Sequence, residues 1–250
     1  MGSSLSAFSS QVGAIEAALA EARKNFLPPF NADATAPHKV YDPKTIAGEA
    51  LWDRISRDVT ACTAENADDW RELILIKGTS NGKKWPQPLR ELLDSTHLDQ
   101  KGAKTQLKTL MLLKHLFNFH SIVRGKEGLR GAPEELAKDF DVPEELMSMA
   151  VESFTAPVTD SQVEKFSMTK QLIDKRLIHI LLLYMMASGS EMKVASINKM
   201  CSILPLDCSE ASKLLREAGC VVKKSSATGM LSVSLSVPLT FPRYRKMNRS

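Results

Sequence analysis

Between Met192 and Val237 the chain carries two short helical patterns, a turn and a strictly alternating segment, and few small folds accommodate that order. The second helical pattern, Cys208 to Ala218, has two faces. Ala211, Leu214, Leu215 and Ala218 recur at i, i+3, i+4 and i+7 and should face a core. Ser209, Ser212, Lys213 and Arg216 repeat that spacing on the other side. Hydroxyls and cations are the groups that bind phosphates and base edges, so these four are candidate nucleic-acid ligands. Gly219 ends the helix, and Cys220 to Lys224 starts a strand. Leu231, Val233, Leu235 and Val237 then alternate with Ser232, Ser234 and Ser236, which predicts a returning strand with one buried face. Lys224 to Met230 becomes the loop between the strands, with Lys223 and Lys224 entering it as further candidate phosphate contacts. Helix, turn, helix and hairpin is the order of a winged helix, a scaffold that sets one helix in a DNA groove and its wing against phosphates.

Charge is unevenly spread. Lys170 to Ser250 holds 13 Lys/Arg against 5 Asp/Glu, a balance of +8, while Met1 to Thr169 carries −4. A basic last third points to a polyanionic partner. The segment Arg243-Tyr-Arg-Lys-Met-Asn-Arg249 adds Arg243 and Arg245 as candidate phosphate contacts, with a solvated or nuclear-import tail as the rival reading.

The expected fold class is mainly α with small β-hairpins, a tandem winged helix preceded by an extended linker and short helices. Residues 1–24 form a tail with a weak helix. Residues 25–45 hold four prolines and little apolar periodicity, and so predict an extended linker. Leu27, Phe30, Val40 and Tyr41 in that stretch are the expected partner-facing residues. A helical linker segment covers 46–98, the first winged helix 99–168, and the second, with its basic tail, 169–250. The repeat rests on long helix, short helix, Asp-started helix and hairpin occurring twice. Asp141 with Glu144 and Asp207 with Glu210 have the spacing of a helix cap and its reciprocal partner. The apolar helix 170–187 should pack against both halves.

Tests for chemistry are negative. Gly78-Thr-Ser-Asn-Gly-Lys-Lys84 has one residue too few between its glycines for a phosphate-binding loop, and Lys84 stands where Ser or Thr must hold magnesium. The five histidines form no metal-binding pair, and His179 suits a hydrogen-bonded core position. Cys62, Cys201, Cys208 and Cys220 lack metal-site spacing and fit a reducing compartment. No cofactor, metal or membrane span is expected, and the chain is not expected to be an enzyme. The third helix of the first repeat carries Glu144, Glu145 and Glu152 and no cation, so DNA should be met by the second repeat. Lys101, Lys104 and Lys108 could add contacts from the first long helix.

Two stretches carry a family resemblance. Leu27-Pro-Pro-Phe-Asn-Ala-Asp-Ala-Thr-Ala-Pro-His-Lys-Val-Tyr41-Asp42 resembles the linker of the forty-nine-kilodalton subunit of RNA polymerase I. Leu214-Leu-Arg-Glu-Ala-Gly-Cys-Val-Val222 is similar to the end of its last recognition helix and the strand beyond. The resemblance implies a non-catalytic, DNA-binding subunit that supports initiation and elongation of ribosomal RNA synthesis in the nucleolus. It implies polymerase core subunits as partners of the linker. Family members begin with a dimerisation barrel that pairs with a second subunit. Here the linker-like stretch opens at Leu27, so the expectation is a fragment or a shortened form. The alternative from another class is a protein scaffold whose winged helix binds no nucleic acid.

Overall fold

The computed structural model describes residues 17–64, 69–77, 84–159 and 164–242. The chain is mainly helical with two small antiparallel sheets. A helix over 17–26 (α1) leads into a loop that closes on itself. Phe30 and Tyr41 form an antiparallel bridge, and the Asn31 N–H donates to the Val40 carbonyl at 2.8 Å. A tight 3-10 turn at Pro37–Lys39 lies between them, so residues 27–42 form a closed loop between α1 and the next helix, not an extended run over 25–45. Asp42 accepts from the Lys44 N–H at 3.0 Å and caps α2 (Pro43–Ala47). Three helices follow: α3 (Glu49–Ala64), α4 (Trp70–Lys77) and α5 (Gln87–Asp94).

The next two units repeat one order of elements. The first has α6 (Ala103–Val123), β1 (Gly128–Arg130), α7 (Pro133–Asp139), α8 (Glu144–Phe154), β2 (Ala156–Pro157) and β3 (Lys165–Ser167). The second has α9 (Lys170–Ala187), β4 (Lys193–Val194), α10 (Asn198–Ile203), α11 (Cys208–Glu217), β5 (Cys220–Lys224) and β6 (Leu231–Leu235). Their sheets are ordered β1-β3-β2 and β4-β6-β5, so in each the last strand lies between the other two. The long helices α6 and α9 pack along each other, and α9 also meets α8 and α11. Leu107, Leu110, Leu113 and Phe119 of α6 join Ile178, Leu181, Leu182 and Met185 of α9 in one apolar cluster that runs through both units.

Asp207 caps α11 by accepting from the Ser209 N–H at 2.8 Å. Its expected counterpart, Asp141, does not cap α8. Pro143 occupies that cap position, because its ring presets φ for a helix start, and Asp141 takes a left-handed φ of 48° before it. The hairpin pairs Cys220 with Leu235 through to Lys224 with Leu231. The returning strand stops at Leu235, short of the expected Val237, because its partner strand begins at Cys220, directly after Gly219 and the end of α11. The loop between the strands is closed by Ser225 N–H to Met230 O and Gly229 N–H to Ser225 O, both 2.9 Å.

Candidate nucleic-acid interface

Helix α11 presents two faces because ten residues at 100° each divide cleanly between core and solvent. Ala211, Leu214, Leu215 and Ala218 are buried. Ser209, Lys213 and Arg216, at i, i+4 and i+7, form one exposed stripe. Ser212 does not belong to that stripe. It lies at the boundary of the two faces, about 60° from Leu215, and is 6% exposed. Its hydroxyl donates to the Cys208 carbonyl at 2.8 Å, so its hydrogen-bonding capacity is turned inward.

The charges around α11 are arranged in the same sense. Glu210 pairs with Lys170, which also pairs with Asp174 at 2.8 Å. Lys199 of α10 pairs with Glu91 at 2.7 Å, and that pairing holds the Glu91 carboxyl below its usual range. Lys213, Arg216, Lys223 and Lys224 pair with no carboxylate among the described residues. Those four side chains are exposed.

The hairpin separates its two lysines. Lys224 is paired with Leu231, on the face where Cys220, Leu231, Val233 and Leu235 are buried against the core and Val222 is half-buried. Lys223 is paired with Ser232 and therefore points to the outer side. Sequence patterning missed a further cation on that side, Lys193, whose register partner is Ser234. Its strand is two residues long, too short for alternation to be read.

Arg243 and Arg245 lie outside the described residues, but the chain leading to them is anchored. Phe241 stacks edge-on against Phe30 with centroids 5.3 Å apart, and the Arg23 guanidinium sits 4.9 Å above the Phe241 ring. Arg23 also donates to the Pro242 carbonyl at 2.8 Å. The Tyr41 hydroxyl donates to the Ala218 carbonyl at 2.8 Å, at the C-terminal end of α11. Burial pushes that phenol well above its ordinary range. Leu27, Val40 and Tyr41 are thus buried within the chain itself, so the expectation that they lie against a partner does not describe them, while Phe30 is half-buried.

In the first unit, α3 packs on α8, and Arg54 pairs with Glu145 at 3.1 Å. Glu144 and Glu152 remain exposed, so the outward side of α8 is acidic and partly covered. Lys101 and Lys104 are exposed, while Lys108 leans over Trp52 at 5.9 Å. The glycine-rich stretch from Gly78 to Lys83 lies outside the described residues, and Lys84 is exposed. Among the described residues no group of three or more His, Cys, Asp or Glu could hold a metal ion. None of their helices is long and apolar enough to cross a membrane. The described cysteines are unpaired thiols, and burial pushes Cys201 and Cys220 up to about 12.

A search among curated proteins gave no match to the chain. The profile of one family matches residues 3–242, spanning the N-terminal loop, both repeated units and the anchored C-terminal segment. The chain therefore belongs to the A49-like RNA polymerase I associated factor family.

Proposed function

We propose that this chain is a non-catalytic, DNA-binding subunit of RNA polymerase I, supporting initiation and elongation of ribosomal RNA synthesis in the nucleolus. Membership of a polymerase-associated family supports the subunit role. The observation that carries DNA binding is the uncompensated stripe Ser209, Lys213 and Arg216 on α11, with Lys224 at the wing. Each unit is read as a winged helix, with α11 entering a groove and the wing meeting phosphates. Arg243 and Arg245, outside the described residues, are read from the sequence as further phosphate contacts. The first unit serves as a protein-contact or spacer unit, since exposed Glu144 and Glu152 repel phosphates. Residues 25–45 dock on polymerase core subunits through their exposed side chains, such as Asn31, Asp33 and Lys39.

The test is a titration with duplex DNA at several salt concentrations. Each lost phosphate contact should lower the slope of log affinity against log salt by about 0.9. The variant K213A/R216A/K224A should lose slope and affinity similarly on unrelated duplexes, because phosphates carry no sequence information. Ser212→Ala should change neither. Unchanged affinity and slope in the triple variant would sink the DNA reading and favour the protein scaffold, which the acidic α8 also suits.

A further inference from the structure

Among the described residues four large apolar side chains are exposed: Leu73, Ile76, Val221 and Met230. The first two, on α4, border segments outside the described residues. The other two share one face of the second sheet. Register places Lys193, Ser234 and Val221 in one row across the sheet and Ser232 with Lys223 in the next. The Ser225-to-Met230 hydrogen bond extends the ladder by one more pair, and alternation turns Met230 to the same side as Ser232 and Ser234. Val221 is 39% exposed and Met230 50% exposed. The opposite face is the buried one: Leu231, Val233 and Leu235 point inward, and Cys220 Sγ lies 3.9 Å from Met185 Sδ of α9. The outer face is thereby turned away from the helices, and no carboxylate stands in any of its rows.

We propose that this outer face, with Val221 and Met230 at its two ends, Lys223 in the row between them and Lys193 across the sheet from Val221, is a docking surface for RNA polymerase I itself. Its occupant there is an acidic surface segment bearing aliphatic side chains. The lysines supply charge complementarity to acids. The aliphatics decide between partners, because phosphate gives an exposed Val or Met nothing to pack on, whereas a protein segment buries them. Family membership makes the polymerase the protein that this chain must hold. DNA on α11 would leave the face free, so the proposal does not depend on the DNA reading. A patch of this size is an anchor within a larger interface, in the manner of a hot spot.

The experiment uses the full chain and purified RNA polymerase I from which this factor has been stripped, with binding followed by fluorescence anisotropy in the absence of DNA. Two double variants are compared, V221S/M230S and K193E/K223E. The second alters only exposed cations and keeps the test valid should the first prove unstable in a thermal melt. Each is expected to weaken polymerase binding by about tenfold, and V221S/M230S, which removes no charge, should leave duplex DNA affinity and salt slope unchanged. K213A/R216A should show the reverse pattern if the DNA reading is correct, and its failure to do so would leave the docking result standing. Undiminished polymerase binding in K193E/K223E would overturn the proposal. If that variant instead loses DNA affinity with a shallower salt slope, the face belongs to nucleic acid.

Discussion

Lowering the pH from about 7.5 to about 5 should remove stability chiefly through three histidines. His115 and His120 lie on α6 and His179 on α9, each 4–5% exposed. Burial, above all, holds each imidazole well below its ordinary value, at about 4. Arg54 and Lys114 add to the effect at His115, and Arg176 and Arg124 at His120. At His179 a hydrogen bond to the Lys175 carbonyl, 2.7 Å, works against burial and is outweighed. In the unfolded chain each imidazole takes up its proton near 6.5; in the folded chain it does so only near 4. The unfolded state therefore binds more protons throughout that window, and stability is complete above it and falls as pH drops through it. The loss is about 2 kcal/mol per histidine at pH 5 and about 3 kcal/mol by pH 4. Three such losses are comparable with the roughly 5–15 kcal/mol that holds a typical domain folded, so the protein should be strongly destabilised by pH 4. Urea unfolding followed by far-UV circular dichroism at stepped pH measures this. His120→Phe sharpens the test, because neither ring nitrogen of His120 has a hydrogen-bond partner among the described residues. That variant should flatten the pH dependence by one proton's worth. Equal stability at pH 7.5 and 5, or an unaltered slope in His120→Phe, would refute the reasoning.

Two further outcomes follow from single contacts. Tyr41→Phe keeps the ring but leaves the Ala218 carbonyl without its donor, and should cost about 1–2 kcal/mol in urea unfolding at an unchanged m-value. Asp207→Ala removes the side-chain cap of α11 and should cost about 1 kcal/mol, read as a lower thermal midpoint.

Elements whose apolar period is long and local were legible in the sequence. The helix expected over 170–187 is Lys170–Ala187, and the hairpin loop lies between Lys224 and Leu231 as the alternation required. The N-terminal loop was not legible, because Tyr41 takes its hydrogen-bond partner 177 residues away, and no local period can record such a contact. Ser212 was misplaced for a subtler reason. A two-face reading of a helix has no category for a boundary residue, and the backbone carbonyl one turn back claims a serine hydroxyl there. The candidate surface was legible as a set of residue types on α11, but not in its directions. Lys223 and Lys224 are neighbours in sequence, and the pleat sends them to opposite sides of the hairpin.

The contacts that join Arg23 to Pro242 and Tyr41 to Ala218 span 219 and 177 residues and bear on how the chain is made. During synthesis Leu27, Val40 and Tyr41 leave the ribosome well before the end of α11 exists. At roughly 5–20 residues per second, Tyr41 waits on the order of ten to thirty seconds for the carbonyl of Ala218. Over that interval the loop's apolar side chains lack the last part of their covering. Contacts of such separation close late, since loop closure must come before any reward from the contact. A nascent chain stalled between the two repeated units would therefore show an N-terminal loop open to chaperones and proteases, and release of the finished second unit would seal it.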